Sequence, residues 1–139
     1  MSNVNLNWEP WPAPPLTAKQ VREWEEDYAM RLPATLARAL VEQNGGRMRE
    51  SELVIDPLDD FSTLDEEQWA HVIADGSLKD LERAKLLCIG DAAGCGIVLD
   101  YNRGPEPRVL LVHHEVGGEL RDEGIGSFED LLCLLQRGS

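Results

Sequence analysis

From Leu86 onward the chain changes its hydrophobic period, and that change limits its possible folds more than any other feature. Residues 86–89, 97–101 and 109–113 are short apolar, partly β-branched runs. Two turn-forming stretches separate them, Asp91-Ala92-Ala93-Gly94-Cys95-Gly96 and Asn102-Arg103-Gly104-Pro105-Glu106-Pro107. Runs of this length at this spacing predict a three-stranded antiparallel meander. Upstream the apolar residues recur at helical spacing instead. Thr17 and Gln20 form a capping box ahead of Val21, Trp24 and Tyr28, which predicts a helix over residues 18–30. Pro33 suits the first turn of a second helix, with Leu36, Leu40 and Val41 facing inward and Asn44-Gly45-Gly46 ending it.

Residues 48–55 read as a strand or hairpin and residues 56–62 as a loop broken by Pro57. A second capping box, Thr63 with Glu66, predicts a third helix carrying Trp69, Val72 and Ile73 and stopped by Asp75-Gly76. Ser77 caps a short helical turn through Leu78 and Leu81. Gly117-Gly118 and Gly124 punctuate the stretch after the meander. Ser127 then caps a closing helix with an inward stripe of Phe128, Leu131, Leu132 and Leu135. Helices, then strands, then a closing helix define the α+β class: a single domain with a mainly antiparallel sheet and about four helices packed on one face. That domain covers residues 16–139. Residues 1–15 hold Trp8, Trp11 and four of the eight prolines, and so predict an extended, polyproline-like arm lying on the domain.

The net charge of −13 is unevenly spread. Residues 50–82 hold eleven acidic side chains against Lys79 alone, so −10 of the −13 comes from 33 residues. A concentrated acidic block steers a basic partner and raises its association rate, and it repels a phosphate backbone. Direct nucleic-acid binding is therefore not expected. Glu50, Glu52, Asp56, Asp59, Asp60, Asp65, Glu66 and Glu67 are the acids expected to form such a face. Trp69 is the nearby aromatic anchor if it is exposed, although inward packing beside Val72 and Ile73 is the plainer expectation.

Other chemistries find little support. Three cysteines, Cys88, Cys95 and Cys133, form an odd and widely spaced set, which fits a reducing, cytoplasmic setting and structural thiols. Neither a signal peptide nor an apolar run long enough to span a membrane is visible. His113 and His114, as neighbours on a strand, point to opposite faces and cannot share a metal. Asp56 to Asp60 lacks the ligand spacing of a calcium loop. The glycines at 90, 94 and 96 lie between strands, not in a phosphate-binding turn. Gly94-Cys95-Gly96 places a thiol on a turn, but no basic neighbour is evident to activate it. The expectation is a protein without catalytic activity, cofactor or metal.

The ordered signals resemble the SUKH superfamily, the group built around the fungal cell-wall regulator family Smi-one/Knr-four. The resemblance rests on Glu25 or Glu26 in the first helix, Leu32-Pro33, Asn44-Gly45-Gly46, the segment from Leu86 through Gly90-Asp91 to Asp100, and Ser127-Phe128 with Leu131-Leu132. It spans roughly residues 16–136. It implies a curved sheet with helices and no catalysis. For a short bacterial-type chain it also implies an immunity protein, which binds and neutralises a toxin domain, often a nuclease. The alternative it leaves is an intracellular regulatory or scaffold module with a cellular protein partner. The arm and the acidic segment lie outside the family's core pattern.

Overall fold

A computed structural model describes residues 8–10, 14–48, 52–74, 76–114 and 118–137. Strand β1 (Trp8–Pro10) leads to helices α1 (Ala18–Tyr28) and α2 (Ala34–Glu42). Four short strands follow: β2 (Gly46–Met48), β3 (Leu53–Ile55), β4 (Ser62–Thr63) and β5 (Ile73–Ala74). The long strands are β6 (Leu86–Ala92), β7 (Cys95–Asp100), β8 (Arg108–His113) and β9 (Glu119–Gly126), and α3 (Phe128–Arg137) closes the chain. Among the described residues one sheet runs β1-β2-β3-β6-β7-β8-β9-β5, with β4 also beside β6. Every pairing is antiparallel except β5 with β9.

The α+β reading holds, with three α-helices in place of about four. Two of the helix starts read from sequence, Thr17 and Ser127, carry their caps, whereas Pro33 stands at the N-cap of α2, one residue ahead of the first turn expected for it. Thr17 Oγ1 accepts from Gln20 N at 3.1 Å while Gln20 Oε1 accepts from Thr17 N at 2.8 Å. Ser127 Oγ accepts from Asp130 N at 3.1 Å, and Asp130 Oδ2 accepts from Ser127 N at 3.0 Å. The Ser127 N–H and its hydroxyl, both donating to Asp130 Oδ2, hold that carboxyl below its ordinary range.

Alternation along β6 and β7 gives the sheet two buried faces. Leu87, Ile89, Ile97 and Leu99 point to one side, where Val21, Leu36, Leu40, Phe128, Leu131 and Leu132 of the three helices cover them. Leu86, Cys88 and Val98 point to the other, together with Leu110, Val112 and Leu120. Among the described residues no helix lies there. Leu64, Val72 and Leu78 cover that face instead, with Trp69 and Leu81 packed against them. The second half of the acidic segment is thus the second layer of the core, while Leu53, Ile55, Leu58 and Phe61 of its first half belong to the helix side. It leaves β4 at the edge of β6, reaches β5 beside β9, and returns through a 3-10 turn (Arg83–Lys85) to start β6. Arg83 pins it by donating to the Val72 carbonyl and, at 3.4 Å, to the Ala70 carbonyl.

This arrangement corrects several expectations. The third helix does not form: residues 67–69 make one 3-10 turn and Ile73–Ala74 is a strand. Only one half of its capping box forms, with Glu66 Oε1 accepting from Thr63 N at 3.4 Å. Pairing to β9 and burial of Val72 outweigh a helical pattern that spans five residues. The stretch punctuated by Gly118 and Gly124 contains β9, whose charged sequence hides its strand character. The first meander turn is tighter than its sequence suggests. Ala93 and Gly94 alone make it, at φ 51° and 84°, the two positive values of a type I′ hairpin.

The Trp–Pro arm is in part a sheet strand, with Trp8, Glu9 and Pro10 paired to Met48, Arg47 and Gly46. Trp11 lies outside the described residues. Cys133 is exposed rather than packed as a small hydrophobe, whereas Cys88 is buried and its thiol is pushed up to about 12, chiefly by burial.

Candidate partner-binding face

The acids singled out from sequence lie on the edge of β6 and on the outer surface of the acidic cover. Glu52 is exposed just before β3, and its carbonyl accepts from Ala93 N of the β6–β7 turn at 3.4 Å. Asp59 and Asp60 are exposed on a 3-10 turn (Leu58–Asp60) whose Leu58 drops into the helix-side core. Asp65, Glu66 and Glu67 are exposed where the chain crosses onto the face away from the helices. Glu50 lies outside the described residues.

The structure brings one subset into direct electrostatic contact. Asp56 is half-buried beside Asp91 and Asp60, and its carboxyl is raised to about 6, first by burial and then by the two like charges. Sequence reading missed Asp91, which arrives from β6 because Val54 of β3 pairs with it. His114 Nε2 lies 3.7 Å from the Asp91 carboxylate.

Trp69 takes the inward orientation. Its indole N–H donates to Ser62 Oγ at 2.7 Å, its ring packs on the second core, and it stacks with His71 at 6.3 Å between centroids. Only its outer edge remains for a partner. A tryptophan with its polar tip satisfied and its body on the core is mainly a structural clamp.

The residues that carried the family resemblance are fasteners rather than reactive groups. Glu25 Oε2 accepts from Leu32 N at 2.7 Å and so holds the α1–α2 link. Asn44 is buried, donating to the Pro14 carbonyl at 2.9 Å and accepting from Leu58 N at 2.9 Å, which ties the arm, α2 and the acidic segment together. Gly90 is needed because a Cβ there would collide with the Val54 carbonyl of β3. Asp100, 1% exposed, accepts from Asn102 N and Nδ2 at 2.8 Å, and Asn102 in turn bonds the backbone of Glu82.

One sequence expectation about thiol chemistry is overturned. Cys95 does have a basic neighbour: strand register sets it opposite His113, with Sγ 3.7 Å from Nδ1. His113 and His114 do point to opposite faces, the first toward Glu123 and the second toward Asp91. Among the described residues, no three His, Cys, Asp or Glu side chains converge on a metal position. No helix of those residues is long and apolar enough to cross a membrane.

Fold and site together define a small α+β protein whose signature residues are structural and whose acids at 52, 59, 60 and 65–67 are exposed. The chain belongs to the SMI1 / KNR4 family (SUKH-1), whose family model matches residues 15–133. No curated protein and no solved structure gives a significant match. Family membership is consistent with a non-enzymatic immunity-type or regulatory module that works through protein–protein contact.

Proposed function

We propose that this chain is an immunity protein that binds a basic toxin domain, most simply a nuclease, through the acidic surface formed by Glu52, Asp56, Asp59, Asp60, Asp65, Glu66 and Glu67. The observation that supports this reading best is where these acids sit. Six of the seven are exposed, on a segment whose apolar side chains are already committed to the core. Burial of Leu53, Ile55 and Leu58 on the helix side and of Leu64, Val72 and Leu78 on the other anchors the segment, so its charges are presented on a fixed backbone and need little ordering when a partner docks. A nuclease must carry a cationic face to hold nucleic acid, and an anionic surface meets it quickly and competes for the phosphate site.

Asp56 adds a specific consequence. Crowded by Asp60 and Asp91, it holds its proton more tightly than an ordinary carboxyl, and an incoming cation would displace that proton. Binding near pH 6 is therefore expected to release protons, so calorimetric enthalpies should vary with the buffer's ionisation enthalpy.

Co-expression with a basic toxin domain encoded beside this gene is the direct test. Protection of growth is expected. Unrelieved killing despite a folded, abundant protein would remove the immunity reading and leave the regulatory one.

A further inference from the structure

At the start of β7, beside the Ala93-Gly94 turn, three side chains form a line. His113 Nδ1 faces Cys95 Sγ at 3.7 Å, while His113 Nε2 faces Glu123 Oε1 at 2.7 Å. One imidazole thus bridges a thiol and a carboxylate, each on a different ring nitrogen. A carboxylate accepts but does not donate, so Glu123 fixes the tautomer: Nε2 carries the proton and Nδ1 is left to accept from the thiol. Strand register fixes the line, since Cys95 and His113 are the end pair of the β7–β8 ladder. Glu119, opposite His113 on β9, brings a further charge to this face, and its ion pair with Arg121 at 3.2 Å offsets it. The line is open to solvent, with the His113 side chain 24% exposed and that of Glu123 41% exposed.

We propose that Cys95 is a primed nucleophilic thiol, a modification site for peroxides and soft carbon electrophiles built by His113 and Glu123. With hydrogen peroxide every atom and electron is accounted for. The Cys95 proton passes to His113 Nδ1, and the sulfur attacks one peroxide oxygen. An S–O bond forms as the O–O bond breaks. The sulfur loses two electrons and becomes a sulfenic acid, the peroxide is reduced, and the departing hydroxide takes the proton from His113 and leaves as water. The proposal does not depend on the immunity reading, because it uses neither the acidic surface nor a protein partner.

Two other thiols serve as internal references: Cys133 is exposed on α3 and Cys88 is buried. An unassisted thiol is only a few per cent ionised at pH 7, so a thiol that hands its proton to an adjacent imidazole is expected to gain about tenfold in rate after the weaker intrinsic nucleophilicity of the thiolate is counted. The experiment is peptide-resolved mass spectrometry of the folded full chain during timed iodoacetamide labelling at pH 7 and pH 9. A parallel arm uses hydrogen peroxide with a 1,3-diketone trap for sulfenic acid. Cys95 is expected to label about tenfold faster than Cys133 at pH 7, less so at pH 9, and to carry the trapped adduct. His113→Gln should abolish that advantage and Glu123→Gln should reduce it, with Cys133 unchanged in both. Equal or slower labelling of Cys95 at pH 7 would overturn the proposal, as would a wild-type ratio in His113→Gln. If His113→Gln unfolds, newly reactive Cys88 will report it, and a wild-type ratio in the half-exposed Glu123→Gln then overturns the proposal alone.

Discussion

Asp56 is the residue where folding and the acidic surface oppose each other. Its carboxyl is raised from 3.8 to about 6 in the folded protein, so the native state binds the proton more tightly than the unfolded chain does. Stability from this group is therefore fully present below pH 3.8 and is lost as pH rises through 6. Asp56→Asn removes the conflict. The variant is expected to be more stable than the wild type by about 1 kcal/mol at pH 7.5, after allowance for solvent screening at this half-exposed site. The two should converge near pH 3.5, and urea titrations at both pH values check this. A second residue-scale conflict lies at the end of α1, where Ala29 adopts φ 54° as the helix C-cap. Ala29→Gly should raise stability by about 0.5–1 kcal/mol, because glycine has no Cβ to strain there. A lower thermal midpoint for this variant would contradict the cap assignment.

Among the elements, the acidic cover is the least regular and the most consequential. Arg83 holds it through the carbonyls of Ala70 and Val72, so Arg83→Gln should speed amide exchange across residues 64–72 while leaving β6–β8 protected. Unchanged exchange would show that apolar burial alone secures the segment. Gly90→Ala tests the opposite edge: the collision with Val54 forces β3 away from β6 and should cost about 2–3 kcal/mol. The elements also differ in how openly the sequence declares them. The meander is legible because the apolar runs at 86–89, 97–101 and 109–113 need only local turns. Helices α1, α2 and α3 are legible from caps and spacing. Strand β9 is not, because Glu119, Arg121, Asp122 and Glu123 are polar and its place depends on pairing with β8. The third helix fails for a similar reason, since Ile73 answers to β9 and not to its own period. Cys95 and His113 lie 18 residues apart, and only the register that sets Asp100 opposite Arg108 brings them together. Asp91 joins Asp56 by the same kind of non-local pairing.

At the scale of the whole molecule, the sheet has two covers of different character. Three helices form a conventional layer on one face, and the second half of the acidic segment, from Leu64 to Leu81, covers the other. Placing charge on a segment already fixed by the core lets one stretch of chain both complete the fold and present a surface. The family signature serves the fold, since Glu25, Asn44, Gly90 and Asp100 hold its joints. The acids serve the surface. On this account, neutralising exposed acids that make no described bond should leave stability within about 0.5 kcal/mol and change association alone. The decisive measurement is the association rate with the proposed basic toxin domain, by stopped flow, for the wild type and for the combined Asp59→Asn, Asp60→Asn, Asp65→Asn, Glu67→Gln variant. At about 50 mM salt the variant should associate at least about tenfold more slowly, and the two rates should converge near 1 M salt. Equal rates at low salt, or a wild-type rate indifferent to salt, would contradict the claim that this acidic surface receives the partner.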